Sequence, residues 1–171
     1  TGKKINVPKR SIFYKCDISD KKKVKKILKK KFDVVLHFAA YANNNESIKK
    51  PNKYLKNNYI KAKIFLELCI ASNIKNFIYS STAAIYGNNI KKIKEDEKPK
   101  PLSPYAKSKV AAEDLIRSQC KDYTILRFFN VGGGEPNNSE GLYAATISAC
   151  ESGIFTIHGN DYNTKDGTCV R

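Results

Sequence analysis

Three short, largely apolar runs separated by segments with helical spacing constrain the fold of this 171-residue chain more than any other feature. The runs at 33–38, 76–80 and 123–128 are bounded by loop residues, which is typical of strands buried in a parallel sheet. A further short strand is predicted at 11–16. Helical spacing occupies 20–31, 51–72, 104–118 and 142–151, with loops at 39–50, 87–102 and 130–140. This alternation predicts an α/β fold with a doubly wound, Rossmann-like parallel sheet and helices on both faces.

The net charge of +16 raises the question of nucleic-acid binding. Nearly all of the positive charge is lysine, so arginine-rich reading of bases has no local cluster to use. The densest basic run, at 21–31, is interrupted by Val24, Ile27 and Leu28, whose spacing is that of an amphipathic surface helix. We therefore predict no nucleic-acid partner.

Other composition features exclude several classes of protein. No apolar run approaches the 18 or so residues of a membrane helix, so no membrane span is predicted. The five cysteines are scattered and form no Cys-x-x-Cys pair, which indicates neither a metal knuckle nor a disulfide framework, and favours reduced thiols in the cytoplasm. The chain contains no methionine, not even at position 1, which favours an internal stretch of a longer protein or a trimmed chain.

Ligands of doubly wound folds bind at the carboxyl ends of the strands, so the residues that follow the predicted strands are the site candidates. Asp17 and Ile18 follow the first, where a carboxylate can accept a hydrogen bond from an adenine amino group or can cap the next helix. Phe38, Ala39 and Ala40 stand at the end of the second, where the two small alanines allow close approach of a dinucleotide, or simply pack. The hydroxyls at 80–82 follow the third and can orient a sugar or form a Ser/Thr turn.

Tyr105 and Lys109 stand four residues apart on a predicted helix and therefore share one face. A phenol is a poor base at neutral pH, and a neighbouring ammonium favours its phenolate form. The spacing alone is a weak signal, because Tyr59 and Lys63 repeat it. Only Tyr105 follows a hydroxyl cluster, so Tyr59 is predicted to be structural.

Several motifs together resemble the UDP-glucose 4-epimerases, an NAD-dependent family of the extended short-chain dehydrogenases/reductases. They occur in that family's order: His37-Phe-Ala-Ala-Tyr-Ala42, Glu46-Ser47, Asn57-Asn58, Ser80-Ser-Thr-Ala-Ala-Ile-Tyr-Gly87, Pro104-Tyr-Ala-Lys-Ser-Lys109, Leu126-Arg-Phe-Phe-Asn130 and Asp166-Gly-Thr-Cys-Val-Arg171. The related 4,6-dehydratases place Asp-Glu where this chain has Ala83 and Ala84, which argues against dehydration.

The resemblance implies a role for each matching position. The catalytic residues would be Thr82, Tyr105 and Lys109. NAD would be bound by Asp17, Ile18, Phe38, Ala39, Ala40, Asn58, Ser80, Ser81, Tyr105, Lys109 and Phe129. The UDP-sugar would be bound by Thr82, Tyr105, Asn130 and Arg171. No metal is implied. The implied reaction interconverts UDP-glucose and UDP-galactose, in galactose metabolism, through a 4-keto sugar, in a cytoplasmic homodimer.

Departures from the family pattern define what this chain is expected to be. The family's glycine-rich loop is absent ahead of residue 11, the segment between Asn130 and Gly159 is short, and the chain stops at Arg171. We therefore expect a partial NAD-binding domain at 1–130 and a partial substrate-binding region at 131–171. Alone, this polypeptide is expected to bind NAD weakly and to turn over little. The alternatives are another nucleotide-sugar enzyme of the same family or a non-catalytic nucleotide-binding module.

Overall fold

The computed structural model describes residues 7–88, 92–131, 142–156, 161–162, 164–165 and 167. The strands are β1 (Val34–His37), β2 (Asn76–Thr82) and β3 (Asp122–Phe128). The α-helices are α1 (Lys21–Leu28), α2 (Asn44–Lys49), α3 (Pro51–Tyr54), α4 (Ala62–Ala71), α5 (Pro104–Gln119) and α6 (Leu142–Ser152), with a π-helix at Leu55–Lys61 and a 3-10 turn at Ala83–Tyr86. The strands predicted at 33–38, 76–80 and 123–128 and the four predicted helices are thus confirmed to within a few residues.

The three strands form one open parallel sheet in the order β1-β2-β3. Val34 pairs with Asn76, and Asn76 pairs in turn with Asp122, so all three strands start at the same level. At the carboxyl ends of β2 and β3, Thr82 pairs with Phe128. The α/β, Rossmann-like prediction is confirmed, and the carboxyl ends of β2 and β3 lie side by side.

The described helices that pack on the sheet cover one of its faces. The core there consists of buried residues from α1, α4, α5 and β2: Val24, Leu28, Leu66, Leu68, Cys69, Phe77, Tyr79, Ala112 and Ile116. On the opposite face Leu36 is 62% exposed and Phe38 is 54% exposed. The one-sided packing follows from topology: two right-handed crossovers that step in the same direction place their helices on the same face. The reversal of strand order that makes a sheet doubly wound is not among these three strands.

Residues 11–16 were predicted as a strand, and that prediction is wrong. The segment is irregular and mostly exposed, with Ile12 at 75%. A strand needs a hydrogen-bonded neighbour, and within the described residues no strand pairs with it. Apolar character alone does not make a strand, because pairing is a property of the sheet rather than of the segment.

Two further differences concern the helices around residue 50. The predicted loop at 39–50 contains α2, which begins where the Asn43 side chain accepts a hydrogen bond from the backbone N–H of Glu46 at 2.8 Å. The predicted helix at 51–72 is continuous but is π-helical over Leu55–Lys61. Such π segments are rare and often mark functional sites.

The chain divides into two compact units. One comprises Thr1–Asn89 with Ile93–Phe129 and contains the sheet; the other comprises Ile90–Lys92 with Asn130–Arg171 and contains α6. The described residues after Ser152 contain no strand, and the predicted loop at 130–140 lies largely outside the described residues. The assignment of 131–171 to substrate binding stays a prediction.

Candidate active site

Helix α5 presents the Tyr-x-x-x-Lys pair from a well-capped start. Ser103 caps it by accepting a hydrogen bond from the backbone N–H of Ala106 at 3.1 Å, and Pro104 occupies the first turn, where its missing N–H costs nothing. Tyr105 is 9% exposed and Lys109 is 3% exposed, so both lie on the buried face. Tyr59 and Lys63 are different, because the π-helix carries Tyr59 and the side chain of Lys63 is exposed.

The ammonium group of Lys109 lies at the carboxyl end of β2. It donates a hydrogen bond of 2.6 Å to the backbone carbonyl of Ser80, and it lies 4.8 Å from the centre of the Tyr79 ring. Burial lowers the pKa of Lys109 to about 8, against the opposing attraction of the Glu113 carboxylate. Lys109 is therefore mostly charged at neutral pH. Its ammonium lies at the carboxyl ends of the strands, where Rossmann-like folds bind ligands.

The three hydroxyls at 80–82 are separated by the alternation of the strand. Ser80 and Thr82 are half-buried, and the Thr82 Oγ1 accepts a hydrogen bond from the backbone N–H of Ala84 at 3.2 Å. Ser81 points to the other face, where it is 3% exposed and donates to Glu113. The Ser81 hydroxyl thus has a protein partner inside the core, and its predicted contact with the cofactor stays a prediction.

A buried ion pair that the sequence did not predict supports this strand end. Arg127 on β3 bonds Glu113 through Nη2 at 2.8 Å and through Nε at 3.2 Å, and Glu113 is only 2% exposed. Arg127 Nη1 also donates to the Tyr86 hydroxyl at 2.7 Å and to the Glu95 carbonyl at 2.8 Å. One guanidinium therefore ties together α5, the turn after Thr82 and the loop beyond it. The available signal was that Glu113 follows Lys109 by four residues on the same helix face.

Asn58 also has a role that the sequence did not reveal. It is 1% exposed, and its amide bonds both the N–H and the C=O of Tyr41 at 2.9 Å. The same amide nitrogen donates to Ser108 Oγ at 3.2 Å, and Ser108 donates to the Tyr105 carbonyl at 2.7 Å. Asn58 thus links the loop after β1 to α5. Its predicted contact with NAD remains a prediction, and its amide is engaged within the protein.

The residues that follow β1 and β3 are the more exposed residues at the carboxyl end of the sheet. Ala39 is exposed, Ala40 is half-buried, and Phe38 lies edge-to-face against Phe128 with ring centres 6.1 Å apart. Phe129 is 57% exposed. Exposed aromatic and small side chains thus lie at the carboxyl ends of these strands.

Two further predicted cofactor residues, Asp17 and Ile18, lie just ahead of α1. Asp17 does not cap α1, because the cap is Asp20, which accepts from the Lys23 N–H at 3.1 Å. Hydrogen bonds from Lys61 and Ser19 hold the pKa of the Asp17 carboxyl well below its usual range. Ile18 is half-buried beside it.

Two predicted substrate contacts belong to the second compact unit. Asn130 is exposed there, and Arg171 lies outside the described residues. Their predicted contacts with a UDP-sugar therefore stay predictions.

His37 ends β1 inside the aromatic core, with ring-centre distances of 5.5 Å to Phe65 and 5.7 Å to Tyr79. Burial, assisted by the charge of Lys109, lowers the pKa of His37 to about 4. The ring is thus neutral at neutral pH. Among the described residues no group of three or more His, Cys, Asp or Glu side chains could hold a metal ion.

We expect His37 to make the protein acid-sensitive. The unfolded chain binds a proton near pH 6.5 and the folded chain only near pH 4, so stability falls as pH falls through that window. The free energy of unfolding should drop by about 2–3 kcal/mol more in the wild type than in His37→Phe between pH 7 and pH 4.5. Urea unfolding at both pH values measures this difference, and equal drops in the two proteins would contradict it.

These features define a Rossmann-like α/β protein whose candidate site lies at the carboxyl edge of a parallel sheet. The family model described as the NAD dependent epimerase/dehydratase family matches residues 1–171. The chain belongs to this family.

Known relatives agree with the assignment. The UDP-glucose 4-epimerase of Lactobacillus helveticus is 39% identical over 189 residues, covering 100% of this chain and 57% of that protein. UDP-arabinose 4-epimerase 1 of Arabidopsis thaliana is 39% identical, covering 96% of this chain and 44% of that protein. The structure of UDP-glucose 4-epimerase from Brucella ovis in complex with NAD matches with a TM-score of 0.80 at 32% identity, covering 92% of this chain and 53% of that chain.

The chain therefore spans about half the length of the relatives that it matches. In the Lactobacillus alignment, 189 aligned positions stand against the 171 residues of this chain, so that relative carries residues that this chain lacks. No helix among the described residues combines the length and apolar character needed to cross a membrane.

Proposed function

We propose that this chain is part of an NAD-dependent enzyme that interconverts UDP-glucose and UDP-galactose by inverting carbon 4 of the sugar. The observation that carries the proposal is the buried ammonium of Lys109, which donates a hydrogen bond to the Ser80 carbonyl. Lys109 lies one helical turn after Tyr105 on α5. The two relatives named above are 4-epimerases of UDP-sugars. Ala83 and Ala84 lack the acid groups that a sugar dehydratase would need.

The described residues fit the nicotinamide end of NAD. Within the described part of the chain the Lys109 ammonium has one hydrogen-bond acceptor, the Ser80 carbonyl, so its other N–H groups can donate to ribose hydroxyls. Exposed Phe38 and Phe129 offer apolar surface for a flat ring. Asp17, with Ile18, would receive the adenine, with Ala39 and Ala40 along the dinucleotide. When bound there, NAD would supply the hydride chemistry at carbon 4 of the sugar.

The protein groups would handle the proton and the geometry. Thr82 orients the 4-hydroxyl of the sugar, and Tyr105 takes its proton as the ketone forms. The charge of Lys109 favours the phenolate form of a neighbouring tyrosine. After the 4-keto sugar has turned over in the pocket, Tyr105 gives the proton back while the opposite face is reduced. Asn130 and Arg171 would hold the UDP-sugar, for which the guanidinium of arginine is well suited.

The choice of sugar is the finer part of the proposal. By their names, one of the two relatives acts on UDP-glucose and the other on UDP-arabinose, and both are 39% identical to this chain. We propose the hexose, in galactose metabolism, on the motif resemblance given above. The free cysteines Cys16, Cys69, Cys120 and Cys150 support a reducing cytoplasm, and we propose a homodimer there.

The test uses the full product of the gene, supplied with NAD and either UDP-galactose or UDP-arabinose. We expect UDP-galactose to be converted to UDP-glucose, followed by chromatography or by NMR of the anomeric proton. Faster conversion of UDP-arabinose would overturn the choice of sugar, and NAD binding without conversion of either sugar would overturn the enzyme assignment. The isolated 171-residue polypeptide is expected to retain NAD poorly.

A further inference from the structure

The side chain of Tyr79 lies beneath the Lys109 ammonium in the middle of the core. Its ring is 1% exposed and stacks on His37 at a centre-to-centre distance of 5.7 Å and an interplanar angle of 27°. The Nζ atom of Lys109 lies over the Tyr79 ring, 4.8 Å from its centroid. A cation within about 6 Å of an aromatic face is attracted by the electron-rich ring, more strongly where water is excluded.

Either the hydroxyl group or the ring of Tyr79 accounts for a tyrosine at this position. The hydroxyl is buried and finds no hydrogen-bond partner among the described residues. A buried hydroxyl without a partner opposes folding, so the hydroxyl does not account for the tyrosine. The ring contacts remain as the explanation: packing in the core and attraction of the ammonium.

The charges around Lys109 show why an aromatic neighbour matters. Burial favours loss of its proton, and Glu113 on the same helix is the charged group that opposes this loss. Glu113 is engaged with Arg127 and Ser81. His37 is neutral at pH 7, and the remaining titratable neighbour on α5 is Tyr105, one turn away.

We propose that Tyr79 is a positioning residue, whose ring face keeps the ammonium of Lys109 charged and directed at the end of β2. This inference deepens the proposed function and rests on it, because it assigns to Lys109 the role of cofactor-binding cation. The prediction is that the face of the ring matters and the hydroxyl does not. A purely structural role of Tyr79 in packing would leave the pKa of Lys109 unchanged when only the charge of the ring face is altered and the shape is kept.

The experiment compares three residues at position 79 in the full product of the gene. Tyr79→Phe keeps the ring and removes the unpartnered hydroxyl, Tyr79→Leu removes the ring, and pentafluorophenylalanine keeps the shape but reverses the charge of the ring face. The pKa of Lys109 is read by NMR of 13C-labelled lysine, assigned with Lys109→Arg. This readout does not depend on catalysis.

We expect the Lys109 pKa to stay within about 0.2 units in Tyr79→Phe and to fall by about 0.5–1 unit in the leucine and pentafluoro variants. Where activity is measurable, its decline at alkaline pH should begin earlier by the same amount. An unchanged Lys109 pKa in the pentafluoro variant overturns the inference, even if Tyr79→Leu fails to fold. If the pKa moves as expected but Lys109→Ala keeps NAD affinity and turnover, the inference stands and the proposed function of Lys109 fails.

Discussion

Replacing Tyr105 by Phe in the full product of the gene is expected to lower kcat for UDP-galactose conversion by about a thousandfold, in the middle of the range that proton transfer contributes to catalysis. The substitution removes one hydroxyl group from a buried ring that meets Tyr54 edge-to-face with centres 6.3 Å apart. Packing therefore changes little, and the free energy of unfolding should stay within about 1 kcal/mol of the wild type. Steady-state kinetics and urea unfolding on the same preparation separate the two effects.

The chain supplies its own matched control for this variant. Tyr59 is also followed by lysine four residues later, but its partner Lys63 is exposed, and it was predicted to be structural. Tyr59→Phe should keep kcat within about twofold, since it removes the same atom without touching the proposed proton path. Equal losses in the two variants would show that the Tyr105 hydroxyl is not the proton acceptor.

Removing the charge of Arg127 is expected to produce a large loss of stability. Arg127→Met leaves the carboxylate of Glu113, 2% exposed, with the Ser81 hydroxyl and a more distant contact to Arg117 at 3.5 Å. Breaking one side of a buried pair typically costs about 3–5 kcal/mol, because the remaining charge stays out of water. Urea denaturation should show this loss as a lower midpoint with an unchanged slope.

Two controls make that prediction specific to the buried pair. The double variant Arg127→Met with Glu113→Leu should be more stable than either single variant, because neither charge is left unpaired. Lys50→Gln removes the exposed member of the pair that Lys50 forms with half-buried Glu46 at 3.6 Å, and should change stability by less than about 0.5 kcal/mol. A loss in Arg127→Met no larger than that of Lys50→Gln would contradict the role assigned to Arg127.

The parts of the fold that the sequence predicted well are those fixed by local pattern. The apolar runs that became β1, β2 and β3 are bounded by loop residues, and α5 has a serine cap and a proline in its first turn. Parallel topology then places their carboxyl ends together, so the location of the candidate site also followed from the sequence. The strand expected at 11–16 failed because a strand depends on a neighbour that no local pattern specifies.

The side-chain partners were harder to predict for a related reason. Asn58 and Ser81 were predicted to touch the cofactor, but their polar atoms are engaged by residues 17 to 50 positions away: Tyr41, Ser108 and Glu113. Arg127 was part of a recognised motif without any partner being predicted for it. Such contacts depend on how helices and strands stack, and hydrophobic spacing carries no information about which buried polar groups will meet.

The amide of Asn58 joins two pieces of chain that are remote in sequence, the turn at Tyr41 and the helical turn at Ser108. If the preceding residues 38–40 receive the dinucleotide as proposed, the same side chain, Asn58, supports both the cofactor-binding loop and the helical turn that orients the Tyr105 phenol. A substitution that removes the Asn58 amide should then weaken NAD binding and lower kcat together, because both parts depend on the same hydrogen bonds.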